Sequence, residues 1–69
     1  MSSSSQERAT AVRQLADTAR DLLGKAKALV RQSEAAPEGS PEKTTLEEQA
    51  RDSLAKARSI AESANKLAQ

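Results

Sequence analysis

The chain reads as an all-α protein, an antiparallel two-helix hairpin with a coiled-coil-like Ala/Leu seam. Three observations predict it. Each half carries its own heptad of apolar residues. Two Pro and one Gly fall within five residues, Pro37-Glu38-Gly39-Ser40-Pro41, and divide the halves. A connection that short returns the second helix along the first. In the first half Val12, Ala19 and Ala26 hold one seam position, and Leu15, Leu22 and Leu29 the other. In the second half Ala50, Ala57 and Ala64 alternate with Leu46, Ser53, Ile60 and Leu67. Folded back, the halves set large against small in the layers Leu29/Ala50, Leu22/Ala57, Ala19/Ile60 and Leu15/Ala64. The thinnest layer is Ala26 with Ser53, where the Ser53 hydroxyl is expected to bond back to the Gln49 carbonyl.

Taken in order, residues 1–4 are expected to be disordered, and residues 5–69 to form a single helical hairpin. Ser4-Ser5-Gln6-Glu7 matches a capping box, in which a Ser hydroxyl meets the amide three residues on and the Glu reaches back. Helix 1 is expected over about 5–35, ended by Pro37, which disfavours helical geometry at Ala36. Gly24 interrupts it on the side opposite the seam, at about 1 kcal/mol relative to Ala. The loop is expected over 36–40. Helix 2 starts at Pro41, with Ser40 as its cap and Pro in the first helical position, and runs to about 68. Thr44 and Thr45 are alternative caps, each with a Glu three residues on. Glu47 with Arg51, Asp52 with Lys56, Arg58 with Glu62 and Glu62 with Lys66 are opposite charges at helical spacing. They favour a solvated helix over a strand.

Composition removes several classes of function. There is no Cys and no His, so disulfides, thiolate chemistry and the usual zinc ligands are gone. No metal or cofactor is expected. Without Phe, Tyr or Trp there is no platform for base stacking. The net charge of +1 shows no basic excess, so Arg13, Arg20, Lys27 and Arg31 make a weak case for nucleic acid. No apolar run reaches spanning length, and the N-terminus lacks the basic and apolar regions of a signal peptide. A cytoplasmic location is expected. Candidate acids and bases (Asp17, Asp21, Glu62, Lys25) fall on exposed faces with no pocket to tune them, so neither an enzyme nor a small-molecule substrate is expected. Ten large aliphatic residues in a 69-residue chain make a thin core. A second copy, completing a four-helix bundle, or further helices of a larger bundle would supply the rest.

The residues beside the seam differ on its two sides. One flank combines Ala16, Leu23 and Val30 of helix 1 with Glu47, Leu54, Ala61 and Ala68 of helix 2. The other combines Ala11, Thr18, Lys25 and Gln32 with Gln49, Lys56 and Ser63. The first is apolar and wider than a two-helix coil needs. Arg13, Arg20 and Lys27 edge it on helix 1, and Arg51, Arg58 and Asn65 on helix 2. The residues expected to touch a partner are therefore Leu23, Val30, Leu54, Ala16, Ala61, Arg20, Lys27, Arg51 and Arg58. The expected function is a protein-interaction or oligomerisation module, its partner a second copy or another helix. The alternative is an adaptor or regulator that binds an acidic amphipathic helix or an anionic surface. A membrane surface is the weaker form of it, because Asp17, Glu48 and Glu62 partly neutralise the cations.

Residues 15–30, LADTARDLLGKAKALV, resemble the rod-domain helices of talin-type cytoskeletal proteins in their Ala/Leu spacing. The alternation of small and large layers resembles the helical-hairpin plan of the small dimer Rop. Neither likeness rests on a specific motif, and no residue role is carried across.

Overall fold

In a computed structural model of the chain, residues 2–69 are described, with side chains from Ser5 onward. Helix α1 covers Ser2–Ala35 and helix α2 covers Pro41–Ala68, and the two pack along their length as a hairpin. At about 1.5 Å per residue a helix of 34 residues spans about 51 Å, which accounts for the long dimension of a 57 × 14 × 12 Å rod. The radius of gyration is 16.1 Å, against about 11 Å for a globule of this length.

The turn is built residue by residue from its sequence. The Ala36 amide still donates to the Gln32 and Ser33 carbonyls, at 3.1 and 3.2 Å, and closes the last turn of α1. Pro37 through Ser40 then form a β-turn in which the Ser40 amide donates to the Pro37 carbonyl at 3.2 Å. Its third residue is Gly39 at φ 77°, the left-handed value that a type II turn demands there and that Gly adopts freely. Ser40 is extended (φ −76°, ψ 148°), and its hydroxyl accepts from the Lys43 amide at 3.1 Å. That makes Ser40 the cap of α2, with Pro41 in the first turn, as the Ser-Pro spacing predicts. Thr44 and Thr45 sit inside α2, where their hydroxyls donate back to the Ser40 and Pro41 carbonyls.

At the other end α1 starts three residues before the expected Ser5, so Ser4 lies within the helix and not at its cap position. Met1, and any capping contact of the Ser4 side chain, lie outside the described residues. Because α1 is the longer helix and both meet at the turn, α1 projects past the end of α2, and residues 5–10 are all exposed.

The seam holds small residues at its centre. The buried apolar residues are Ala26, Ala50, Ala57 and Ala64, joined by Ser33 and Ser53. Val12, Leu15, Ala19, Leu22, Leu29, Leu46 and Ile60 are half-buried beside them. The grooves along the seam bring together Ala19 with Ala61, Leu23 with Leu54, and Leu29 with Ser53, each pair within one helical turn of the expected layers. A slip of one heptad would break all three pairings.

Three expectations fail in detail. Leu67, the last seam residue, is 42 % exposed, because α1 offers only Val12 opposite it where the hairpin opens. The Ser53 hydroxyl does not bond to the Gln49 carbonyl. It borders a polar groove lined by Lys25, Gln49, Asp52 and Lys56, where water reaches it, and no fully buried side-chain polar atom among the described residues lacks a partner. The four opposite-charge pairs of α2 do not close. Among the described residues the ion pair within 4 Å joins Lys43 to Glu38, at 3.2 Å. An exposed helical pair yields a few tenths of a kcal/mol, which does not offset the rotamer entropy of two long side chains.

Candidate functional site

Three shallow grooves run end to end along one flank of the seam. The groove nearest the turn lies over Ala26 and Ala50 and is walled by Leu23, Val30 and Leu54. The middle groove shares Leu23 and Leu54 with it and continues over Ala57 between Ala19 and Ala61. The groove at the open end shares Ala19 and Ala61 and continues past Ala16, Val12 and Ala64 to Ala68. Shared walls make the three one continuous apolar strip. All nine residues expected to touch a partner line it: Leu23, Val30, Leu54, Ala16 and Ala61 form its floor and walls, and Arg20, Lys27, Arg51 and Arg58 its edges.

Helix geometry explains why the strip stays open. A two-helix seam buries what points directly between the axes, and here those side chains are mostly Ala and Ser. The large residues one position further round reach only halfway in. Leu23 is 39 % exposed and Val30 45 %, and Leu54 is half-buried. No large side chain is fully buried anywhere in the described residues. The chain exposes 5355 Å², about 1,200 Å² more than a compact monomer of this mass. One partner in a standard-sized interface covers about 800 Å².

The opposite flank is polar. Its groove is short and is lined by Lys25, Gln49, Asp52 and Lys56 around Leu29 and Ser53. Asp17, Asp21, Glu48 and Glu62, spread along the two helices, are all exposed. Among the described residues no three His, Cys, Asp or Glu side chains gather as a metal site would need. No helix there is long and apolar enough to cross a membrane.

One pair at the turn end of the strip went unforeseen. Lys43 is 18 % exposed at its side chain, and its Nζ donates to the Ser33 carbonyl at 3.0 Å while also meeting Glu38. Ser33, buried beneath it, donates through its hydroxyl to the Val30 carbonyl at 2.7 Å. The signal was available. Carrying each heptad one step toward the turn places Ser33 after Ala26 and Lys43 before Ala50, in the buried columns. A polar residue in those columns must find a partner, and near a helix C-terminus the partner is a freed carbonyl.

No protein family, curated protein or solved structure matches the chain. The likeness to talin-type rod helices and to Rop therefore remains one of Ala/Leu spacing.

Proposed function

We propose that this hairpin is a non-enzymatic interaction or oligomerisation module that works by presenting the apolar strip to a helix. The observation that carries the reading is the exposure of Leu23 and Val30, with half-buried Leu54, on one continuous surface that closing the seam does not need. An exposed apolar patch rimmed by polar residues marks an association site. The excess of exposed surface over a compact monomer supports it. The same reading sets the module in the cytoplasm. A composition without Cys, and the lack among the described residues of a helix long and apolar enough to cross a membrane, are compatible with that setting.

The test separates binding from folding. Leu23→Asp with Leu54→Asp should abolish association, read by sedimentation equilibrium for self-association and by co-sedimentation with an added helix. Most of the helical circular dichroism should remain, because neither residue sits between the axes. A double variant that associates like the parent would move the interface off this strip.

A further inference from the structure

We propose that the strip's occupant is an amphipathic helix of another protein whose apolar stripe is edged by carboxylates. The proposal rests on the docking reading above and adds the chemistry of the partner. The strip is a groove between two helices, the width that one further helix fills. Leu23 and Val30 stand two turns apart on α1, about 10 Å along the axis, and Leu54 faces them from α2. A helix with apolar residues at three- and four-residue spacing would set its own side chains between these three.

Charge selects among such helices. Arg20 and Lys27 stand on one edge and Arg51 and Arg58 on the other, all exposed. Among the described residues none of the four lies within 4 Å of a carboxylate. Arg31 adds a fifth cation at the turn end, against Glu34 and Glu47. The middle groove is edged by Arg20 and Arg58 with no acid at all. Glu62 lies at the open end of the strip, so three carboxylates, Glu34, Glu47 and Glu62, stand along it against the five exposed cations. The net charge of +1 conceals this cationic excess, because Asp17, Asp21, Glu48 and Asp52 do not line the strip. A second copy fits less well. Strip packed on strip with two-fold symmetry places each mid-strip group against its own counterpart, so Arg20 and Arg58 would meet Arg20 and Arg58. Carboxylates on a different helix would meet both edges at once and leave no like charges opposed.

Two synthetic helical peptides of three heptads test this, with identical Leu/Ala stripes and either Glu or Lys at every edge position. Dye-labelled peptide is titrated with the full chain and followed by fluorescence anisotropy. The Glu-edged peptide should bind, and binding should weaken as salt is added. Arg20→Glu with Arg58→Glu should weaken it by about tenfold or more and should restore binding of the Lys-edged peptide. Both positions are exposed, so the helicity of this variant should match the parent. Equal binding of the two peptides, or binding of neither by a monomeric chain, would overturn the proposal. A chain that sediments as a dimer and that the Glu-edged peptide cannot dissociate would assign the strip to a second copy, which overturns the acidic partner while leaving the docking reading intact. Tighter binding to phosphatidylserine-containing vesicles than to the Glu-edged peptide would make the strip a membrane face and overturn the proposal too. If Leu23→Asp with Leu54→Asp leaves every one of these bindings unchanged, the docking reading itself fails.

Discussion

At the turn, five residues and two flanking side chains satisfy the ends of both helices. The Ala36 amide finishes α1, Ser40 caps α2, Gly39 supplies the left-handed corner, and Lys43 reaches across to the Ser33 carbonyl. Among the described residues no side-chain bond ties the helices at the open end. Residues 5–10 of α1 project into solvent, and Leu67, Ala68 and Gln69 are exposed. The same seam thus has a fixed end and a loose one. Local opening free energies follow buried contacts and satisfied backbone groups, so the hairpin should zip from its turn, and amide exchange should slow from the open end toward Ala50. Substitutions of one kind placed at both ends test that gradient, measured by urea denaturation at constant chain concentration, because association adds to apparent stability.

The largest difference should come from overpacking. Ala50 and Ala64 occupy equivalent seam positions and are 6 % and 8 % exposed. Ala50 is buried close to the turn, in the layer expected to hold Leu29, where neither helix can move aside, and Ala50→Leu should cost about 1–3 kcal/mol. Ala64→Leu falls in the layer expected to hold Leu15, where α2 nears its end and the helices can part. Its cost should be less than half as large. Equal costs would mean that the seam is as rigid at its open end as at its turn.

Truncation asks the converse question. Leu46, half-buried near the turn, should lose about 2 kcal/mol as Ala, toward the low end for a core leucine because it is only partly covered. Leu67→Ala should lose well under 1 kcal/mol, since much of that side chain already faces water. A Leu67→Ala cost as high as that of Leu46→Ala would show that the open end is covered in solution, by a partner or a second copy.

The contrast between the ends also marks what could be read in advance. The heptads of Ala19, Leu22, Ala57 and Ile60 set the seam and its register, because side-chain volume at a fixed period admits few pairings. Pro37, Gly39 and Pro41 set the turn, because each restricts the backbone by itself. The nine strip residues were legible for the same reason, as positions one step round from the seam. Apart from Leu67, whose seam position runs out at the open end, the details that misled involve polar side chains. The Ser53 hydroxyl and the α2 charge pairs each have several partners within reach, water among them, that differ by less than about 1 kcal/mol. Lys43 was legible by its place in the heptad, but its charge suggested the surface.

The two glycines sharpen the comparison with opposite signs. Gly39 has open space where a Cβ would go, so Gly39→Ala costs only the left-handed backbone, about 1 kcal/mol. Gly24 also has open space around it, but it lies in the middle of α1 on the solvent side. Gly24→Ala should stabilise by up to about 1 kcal/mol through helix propensity alone. A loss at Gly24 would reveal a close neighbour there, such as a second chain on the back of α1.

The smallest effect separates two lysines. Lys43 and Lys66 both belong to α2, one in its first turn and one in its last. Lys66 favours the negative end of its own helix, but water screens it, and Lys66→Met should produce no measurable change. Lys43 sits at the positive end of α2, where its charge is unfavourable, and yet it is mostly buried because its Nζ serves the Ser33 carbonyl in the last turn of the other helix. Lys43→Met keeps the stem packed on the seam and removes only the hydrogen bonds, so it should cost about 0.5–1.5 kcal/mol. The loss should not depend strongly on salt, because the acceptor at Ser33 is a neutral carbonyl and the Glu38 partner is 91 % exposed. A loss that vanishes in high salt would mean that Glu38, and not the Ser33 carbonyl, holds Lys43 in place. A gain in stability would mean that relieving the unfavourable dipole outweighs the bond across the turn.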